Sequence, residues 1–288
     1  MLTNNAAFAA ETFERIQRAI SQNRLVLPSL PDALLAVRAA LNDDYCSHGR
    51  LAEIISRDTA ISARLLKVVN SSAMRGQREI NDIRGAVTRL GTKLVQTLVT
   101  SLTITQMVFS SISNSKGVCT ELLKNHHRRT VQVASLCYAL AANASAMDRD
   151  EALLAGLVHD IGVLPLVQYA EQYAGLGRNY EAVRQLVDAL HAQAGAYLLE
   201  HWGFAQKLVH VAAEHEDVFR NGASCEPDYV DLVIVANLYL DSGFDETQSQ
   251  LLSEQSGIPA VRKLYDRSSL TREPLDVVRQ QTMEILRE

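Results

Sequence analysis

The sequence predicts an all-α protein, a two-part helical bundle, on three observations. Apolar residues recur with a 3.6-residue period in almost every segment, and none shows the sustained alternation of a strand. Ala, Leu and Val dominate while aromatic residues make up 6% of the chain, which favours helix-on-helix packing over a β-sandwich. The polar, glycine-containing stretch "SSISNSKGVCTELLK" (110–124) divides the helices into two sets. A chain of 288 residues can bury a large core.

Taken in order, an N-terminal helix is expected within residues 1–24, a first helical part over 25–110, a second over 120–240, and a helical extension over 241–288. In "LPSLPDALLAVRAALND", Pro31 suits a helix start, and Leu34, Leu35, Val37 and Leu41 form the inner stripe. "LAEIISRDTAISARLLKVVNSSAM" splits in two. Asp58 or Thr59 caps its second helix, whose Ile61, Leu65, Leu66 and Val69 face inward. A short helix then ends near Gly91, read as a C-cap, and a longer one starts near Lys93.

Beyond the junction, a helix is expected from about Glu121 to Asn143. Asp148 with Glu151 three residues on resembles a capping box opening the next, which ends at "HDIG" before Pro165. Further helices are expected in "EAVRQLVDALHAQAGAYLLEHW" with a break near Asp188, in "AQKLVHVAAEHEDVF" and in "DYVDLVIVANLYLDS". Two more are expected in the tail, in "TQSQLLSEQSG" and "PLDVVRQQTMEILRE".

Charge and cysteine content narrow the function classes. A net charge of −5 and a single short basic run, Lys124 to Arg129 without interleaved aromatics, disfavour a nucleic-acid partner. Cys46, Cys119, Cys137 and Cys225 lie far apart with no CxxC, which gives no structural zinc motif and suits free thiols in a reducing cytosol. The N-terminus lacks a signal-peptide pattern, and no apolar run reaches the roughly 20 residues of a membrane span. The expectation is a soluble, cytoplasmic protein. P-loop, GxSxG and GxGxxG motifs are absent in any suitable context.

The chemistry-bearing stretch is "LLAGLVHDIGVLPL", with His159 and Asp160 set in an apolar helical run. One reading is a divalent metal bound through an imidazole and a carboxylate, with Fe, Mn, Zn and Mg as candidates. The other is a buried hydrogen-bonded pair in which the aspartate fixes the imidazole tautomer. Helical spacing turns His191 inward with Ala194, Gly195 and Leu198, and His215 inward with Leu208 and Val211. His215 with Glu214 also reads as a partly exposed polar edge. By the same spacing His48, His126, His127, His201 and His210 are expected to be peripheral and solvated.

"LPSLPDALL", "LAEIISRDTAISARLLKVVNSS" with Asn70-Ser71, "AVTRLGTKLV", "LLAGLVHDIGVLPL" and "HAQAGAYLLEHWGF" together resemble the HDOD family of bacterial signalling proteins. That family is a branch of the HD phosphohydrolase superfamily, and the likeness runs from about Leu25 to Phe219. It implies an all-α fold with an HD-like second part. The catalytic HD pattern is a lone histidine, then HD, then a closing aspartate. Against it, Arg129 holds the place of the lone histidine, Glu214-His215 that of the paired histidines, and Asn237 that of the closing aspartate. A guanidinium has no lone pair to donate, so Arg129 is expected to pair with Asp160 and replace a metal's charge. His159, Asp160, His191 and His215 would form a weak metal site at most.

The resemblance therefore implies a non-catalytic signalling or regulatory module acting by protein contact in a bacterial two-component or second-messenger pathway. Its partners would be a sensor kinase, response regulator or diguanylate cyclase. No receiver or GGDEF signature lies in the chain, so a phosphorelay input is expected from a separate protein. The alternative is a metal-dependent phosphohydrolase of a nucleotide or cyclic dinucleotide, with Arg129 binding phosphate. A nucleic-acid-linked factor is disfavoured by the acidic balance.

Overall fold

A computed structural model describes residues 27–41, 46–71, 79–142, 147–172, 176–220, 226–241 and 257–265, with 15, 18 and 43. Helices α1 (Asp32–Leu41), α2 (His48–Ser56) and α3 (Thr59–Val69) pack on a long α4 (Ile83–Asn114). Next come α5 (Val118–Ala141), α6 (Arg149–Val158), α7 (Val163–Gln172), α8 (Tyr180–His201), α9 (Gln206–Glu214) and α10 (Tyr229–Asp241). A short α11 (Pro259–Tyr265) lies on α10. No strand occurs among the described residues.

Local chemistry sets the helix starts. Asp58 accepts the Ile61 N–H at 2.9 Å, Asp82 the Gly85 N–H at 2.7 Å, and Asp148 those of Asp150 and Glu151 at 2.9 and 3.2 Å. Each satisfies donors that the first turn leaves without partners. The capping box at Asp148 is not reciprocal: Glu151 instead meets Lys207 at 2.6 Å and the Tyr229 hydroxyl at 2.8 Å.

The structure departs from the sequence reading at several places. Leu35 is 48% exposed, so the inner stripe of α1 is Leu34 and Val37, with Leu41 partly buried against the core. Near Gly91 the expectation holds: its φ of 78° and ψ of 165°, strained for any side chain, interrupt the helical stretch Ile83–Asn114. The junction shrinks to Ser115–Gly117, because α4 runs on through Asn114. The α8 helix passes Asp188 without a break, and Arg184 bonds Asp188 at 2.7 Å along its exposed face. Both expected tail helices, and nearly all of the N-terminal one, fall outside the described residues. The α11 helix was not anticipated.

Two helical stretches, Ile83–Asn114 and Arg149–Gln172, reach the length and mean hydropathy of a membrane span, although no unbroken apolar run is that long. Those windows are 56% and 89% buried within the protein, and they pack there as core helices.

The two helical sets are tied together by polar contacts. Arg38 of α1 donates to the Trp202 carbonyl at 2.6 Å and to that of Gly203, filling the C-terminus of α8, and stacks over Phe204. The Trp202 indole in turn donates to the Pro28 carbonyl at 2.9 Å. Lys93 pairs with Asp148 at 2.6 Å, and Glu171 accepts the Lys116 N–H at 3.0 Å.

Asn70, at the end of α3, acts as a clasp. Its amide donates to the carbonyls of Leu66 (3.0 Å) and Ile80 (2.7 Å), and its oxygen accepts the Ile80 N–H at 2.9 Å. Asn70→Ala strands partly buried backbone groups and is expected to lower the unfolding free energy by about 2 kcal/mol. Urea denaturation measures this; an unchanged midpoint would show that water replaces the clasp.

Candidate metal centre

The α6 helix ends at Val158 with His159 as its cap, and the chain turns through Asp160 to α7, where the Val163 N–H returns to the Asp160 carbonyl at 3.0 Å. Glycines bring the neighbouring helices against this turn. A Cβ on Gly162 would overlap the His191 carbonyl and the Gly195 backbone, and one on Gly156 would overlap the backbone of Ala134. The glycine of "HDIG" is thus what lets α8 approach closely enough to deliver His191.

Four imidazoles from four elements converge on the Asp160 carboxylate. Nε2 of His159, His191 and His215 lies 3.4, 3.5 and 3.3 Å from its oxygens, and Nδ1 of His126 lies 3.3 Å away. Glu216 reaches toward His191 (3.6 Å) and His215 (3.5 Å) from the solvent side. His159, His191 and His215 are buried and His126 is partly so.

The outer nitrogens fix the tautomers. Nδ1 of His159 sits 2.7 Å from the Gly156 carbonyl, Nδ1 of His191 2.8 Å from that of Val187, and Nδ1 of His215 3.0 Å from that of Val211. A carbonyl can only accept, so each Nδ1 carries hydrogen and each neutral ring turns an Nε2 lone pair inward. His191 Nε2 and His215 Nε2 are 3.2 Å apart. Two lone pairs cannot face each other at that distance without a cation between them, whether a proton or a metal.

Charge follows from the same geometry. Burial pushes His159 down to about 4, more than the adjacent Asp160 restores, so it stays neutral at physiological pH. For His191 burial is outweighed by the carboxylates of Glu216 and Asp160, which hold it up at about 9. Asp160 is largely but not fully buried, and the surrounding imidazoles keep it well below the usual carboxylate range. His159, Asp160 and His215 bring ligand atoms within 4.8 Å of one another, as do His191, His215 and Glu216, so a divalent cation fits either group, with the imidazoles anchored by N–H to carbonyl bonds. The imidazole-rich composition suits Fe, Mn or Zn better than Mg.

Of the residues singled out in the sequence, His159, Asp160, His191 and His215 meet here. Arg129, Asn237 and Glu214 do not. Arg129 pairs with Asp241 at 2.8 Å and Asn237 at 2.9 Å rather than with Asp160, because it lies one turn beyond the inward position. That position belongs to His126, expected to be solvated. His126 continues the buried stripe of Cys119, Leu122, Val133 and Cys137 on α5, a helical signal hidden by the surrounding basic run. Glu214 is turned away and accepts from Arg220 at 2.8 Å; Glu216 takes the place expected of it. His215, read as a partly exposed edge, is 2% exposed. The carbonyl of Gly156, not Asp160, selects the His159 tautomer. His48, His201 and His210 are exposed, and His127 packs edge-on against Phe109 at 4.6 Å.

Two outcomes follow. A metal must displace the His191 proton, so Mn²⁺ affinity should rise by about tenfold per pH unit up to about pH 9 and then level off; competition titration at stepped pH reads it, and a flat profile contradicts it. Gly162→Ala should cost about 2 kcal/mol of stability and about tenfold in Mn²⁺ affinity, because α8 must move. Calorimetry of the variant with and without Mn²⁺ measures both, and wild-type affinity would rule out the close-approach role.

Comparison with known proteins agrees with this architecture. The HDOD domain family matches residues 27–218. A Shewanella amazonensis protein named as a candidate metal-dependent phosphohydrolase superposes with a TM-score of 0.78 at 23% identity, covering 99% of this chain and 100% of that one. A Marinobacter aquaeolei protein named as a candidate signal transduction protein gives a TM-score of 0.56 at 18% identity, over 98% of this chain and 63% of its own. At those identities the likeness shows the fold alone. An uncharacterized protein of Treponema pallidum is 27% identical over 202 residues, 67% of this chain. The chain spans only 38% of that longer relative. By the extent of the family match, this chain belongs to the HDOD domain family.

Proposed function

We propose that this chain is a regulatory module of a bacterial signalling pathway, which holds a divalent metal in its histidine pocket and acts through contact with partner proteins rather than by turnover. The carrying observation is the Arg129 bridge to Asn237 and Asp241. It engages the neutral amide oxygen of α10, so that side adds no carboxylate to the donors around Asp160. A cation held by His126, His159, Asp160, His191 and His215 would cross-link α5, the α6–α7 turn, α8 and the end of α9. When bound it would supply Lewis acidity. The residues themselves anchor donors and exclude water: three of the four imidazoles are buried. Such a cross-link stiffens the second helical set and presents a defined surface to a sensor kinase, response regulator or diguanylate cyclase in the cytoplasm. The fold neighbour named as a candidate signal transduction protein is in keeping with this reading.

A second reading, metal-dependent phosphohydrolysis of a nucleotide or cyclic dinucleotide, is favoured by one observation, the His126 imidazole against Asp160. It restores the lone histidine that the sequence reading had given to Arg129.

One experiment separates them. The purified protein, loaded in turn with Mn²⁺, Fe²⁺ and Mg²⁺, is assayed for metal content and for hydrolysis of bis(4-nitrophenyl) phosphate and cyclic diguanylate. The proposal expects one bound transition metal, lost in Asp160→Ala, with phosphodiester turnover no greater in wild type than in that variant. Turnover that disappears in Asp160→Ala would establish the second reading instead.

A further inference from the structure

The donors of the histidine pocket differ in their access to water. The side chains of His126, His159, Asp160, His191 and His215 are at most 26% exposed, and that of Glu216 is 66% exposed. Glu216 follows α9 directly, where His215 is the cap and its N–H returns to the Val211 carbonyl at 3.2 Å. Two tight turns come next: the Asp217 N–H reaches the Glu214 carbonyl at 3.0 Å, and the Val218 N–H reaches the Glu216 carbonyl at 3.1 Å. Val218 packs partly buried against the core. The backbone under Glu216 is thus fixed, while its side chain stands over the pocket on the solvent side.

Its carboxylate has partners of one kind. Glu214 is held by Arg220 at 2.8 Å, but Glu216 meets no lysine or arginine among the described residues. Its Oε1 faces Nε2 of His191 at 3.6 Å and of His215 at 3.5 Å, and those nitrogens are 3.2 Å apart. Asp160 Oδ1 lies 3.5 and 3.3 Å from the same two nitrogens. His215 carries its hydrogen on Nδ1, so its Nε2 has none to give, and a buried lone pair looks at two carboxylate oxygens. Acceptor against acceptor is unfavourable unless a cation lies between them. Ligands bonded at roughly 2.1 Å to one tetrahedral ion stand about 3.4 Å from each other. The separations among these oxygens and nitrogens are close to that length.

We propose that Glu216 is the ligand that closes the metal site on its solvent side, its carboxylate holding the coordination position that a water would need for hydrolysis. The inference rests on the reading that the pocket holds a divalent metal. Metal-assisted hydrolysis requires an open position for water, so a carboxylate seated there favours a cross-linking ion over a catalytic one.

The test loads the full chain with Mn²⁺ and counts the waters bound to the ion from the field dependence of water-proton relaxation. Wild type is compared with Glu216→Ala, Glu216→Gln and Glu214→Gln. The Glu216 side chain is exposed, so its replacements leave the packing of the pocket intact. The expected result is one more bound water in Glu216→Ala than in wild type, and Mn²⁺ affinity lower by at least about tenfold in Glu216→Gln. Glu214→Gln removes the same charge beside His215 but from a side chain that faces Arg220, and should keep the wild-type water count and affinity. The inference alone is overturned if wild type and Glu216→Ala bind Mn²⁺ with the same number of waters. It is equally overturned if Glu214→Gln weakens Mn²⁺ as much as Glu216→Gln does, which would reduce Glu216 to a general negative charge. Wild type that binds no Mn²⁺ overturns this inference together with the metal-holding reading beneath it.

Discussion

Asp160 places a carboxylate inside a helical bundle, and much of the second helical set is arranged around keeping it charged there. A bare buried carboxylate would take up a proton. Here four imidazoles surround it, and three are held from behind by backbone carbonyls that lie three or four residues earlier in their own helices. Those carbonyls are available because the ligating residues sit at helix ends or use the carbonyls of the turn before. The inward face is left rich in lone pairs around one negative charge. Such a constellation calls for a cation, and a proton on His191 meets the need only in part.

The constraint reaches into the backbone. Gly156 and Gly162 mark where α5 and α8 approach too closely for a side chain, and Gly195 faces Gly162 across the second of these contacts. The first helical set is then docked through Arg38, Trp202 and Lys93, so that it cannot drift from the pocket's scaffold. On the far side, buried Asp231 of α10 is shared by Arg220 (3.2 Å) and Lys263 (3.0 Å). Arg220 also holds Glu214, the neighbour of His215. A short helix beyond the family-matched region is in this way part of the charge balance behind a candidate ligand.

Legibility in the sequence tracked the range of the interactions. Helix positions were readable because period and caps are local: Asp58 and Asp148 cap where their sequence context says they should. His159, Asp160, His191 and His215 could be found by combining the "HD" pair with inward helical spacing. His126 was missed although Cys119, Leu122, Val133 and Cys137 mark its face, because "KNHHRR" reads as a solvated basic run. Arg129 was misplaced by a single turn, which exchanges a donor for a cation and inverts the electrostatics inferred for the pocket. What was not legible depends on tertiary contact: the choice of Glu216 over Glu214 and the seating of Lys263 on Asp231.

The central claim is that the pocket's imidazoles are preset, with hydrogen on Nδ1 and the Nε2 side turned toward a cation. Nitrogen-15 NMR of the histidine side chains, recorded without metal and during Zn²⁺ addition near neutral pH, tests it most directly. The account predicts His159 and His215 locked with hydrogen on Nδ1, His191 protonated on both nitrogens, and stoichiometric movement of the Nε2 signals of all three as Zn²⁺ enters and the His191 proton leaves. Rings that average between tautomers, or Nε2 signals indifferent to Zn²⁺, would contradict it.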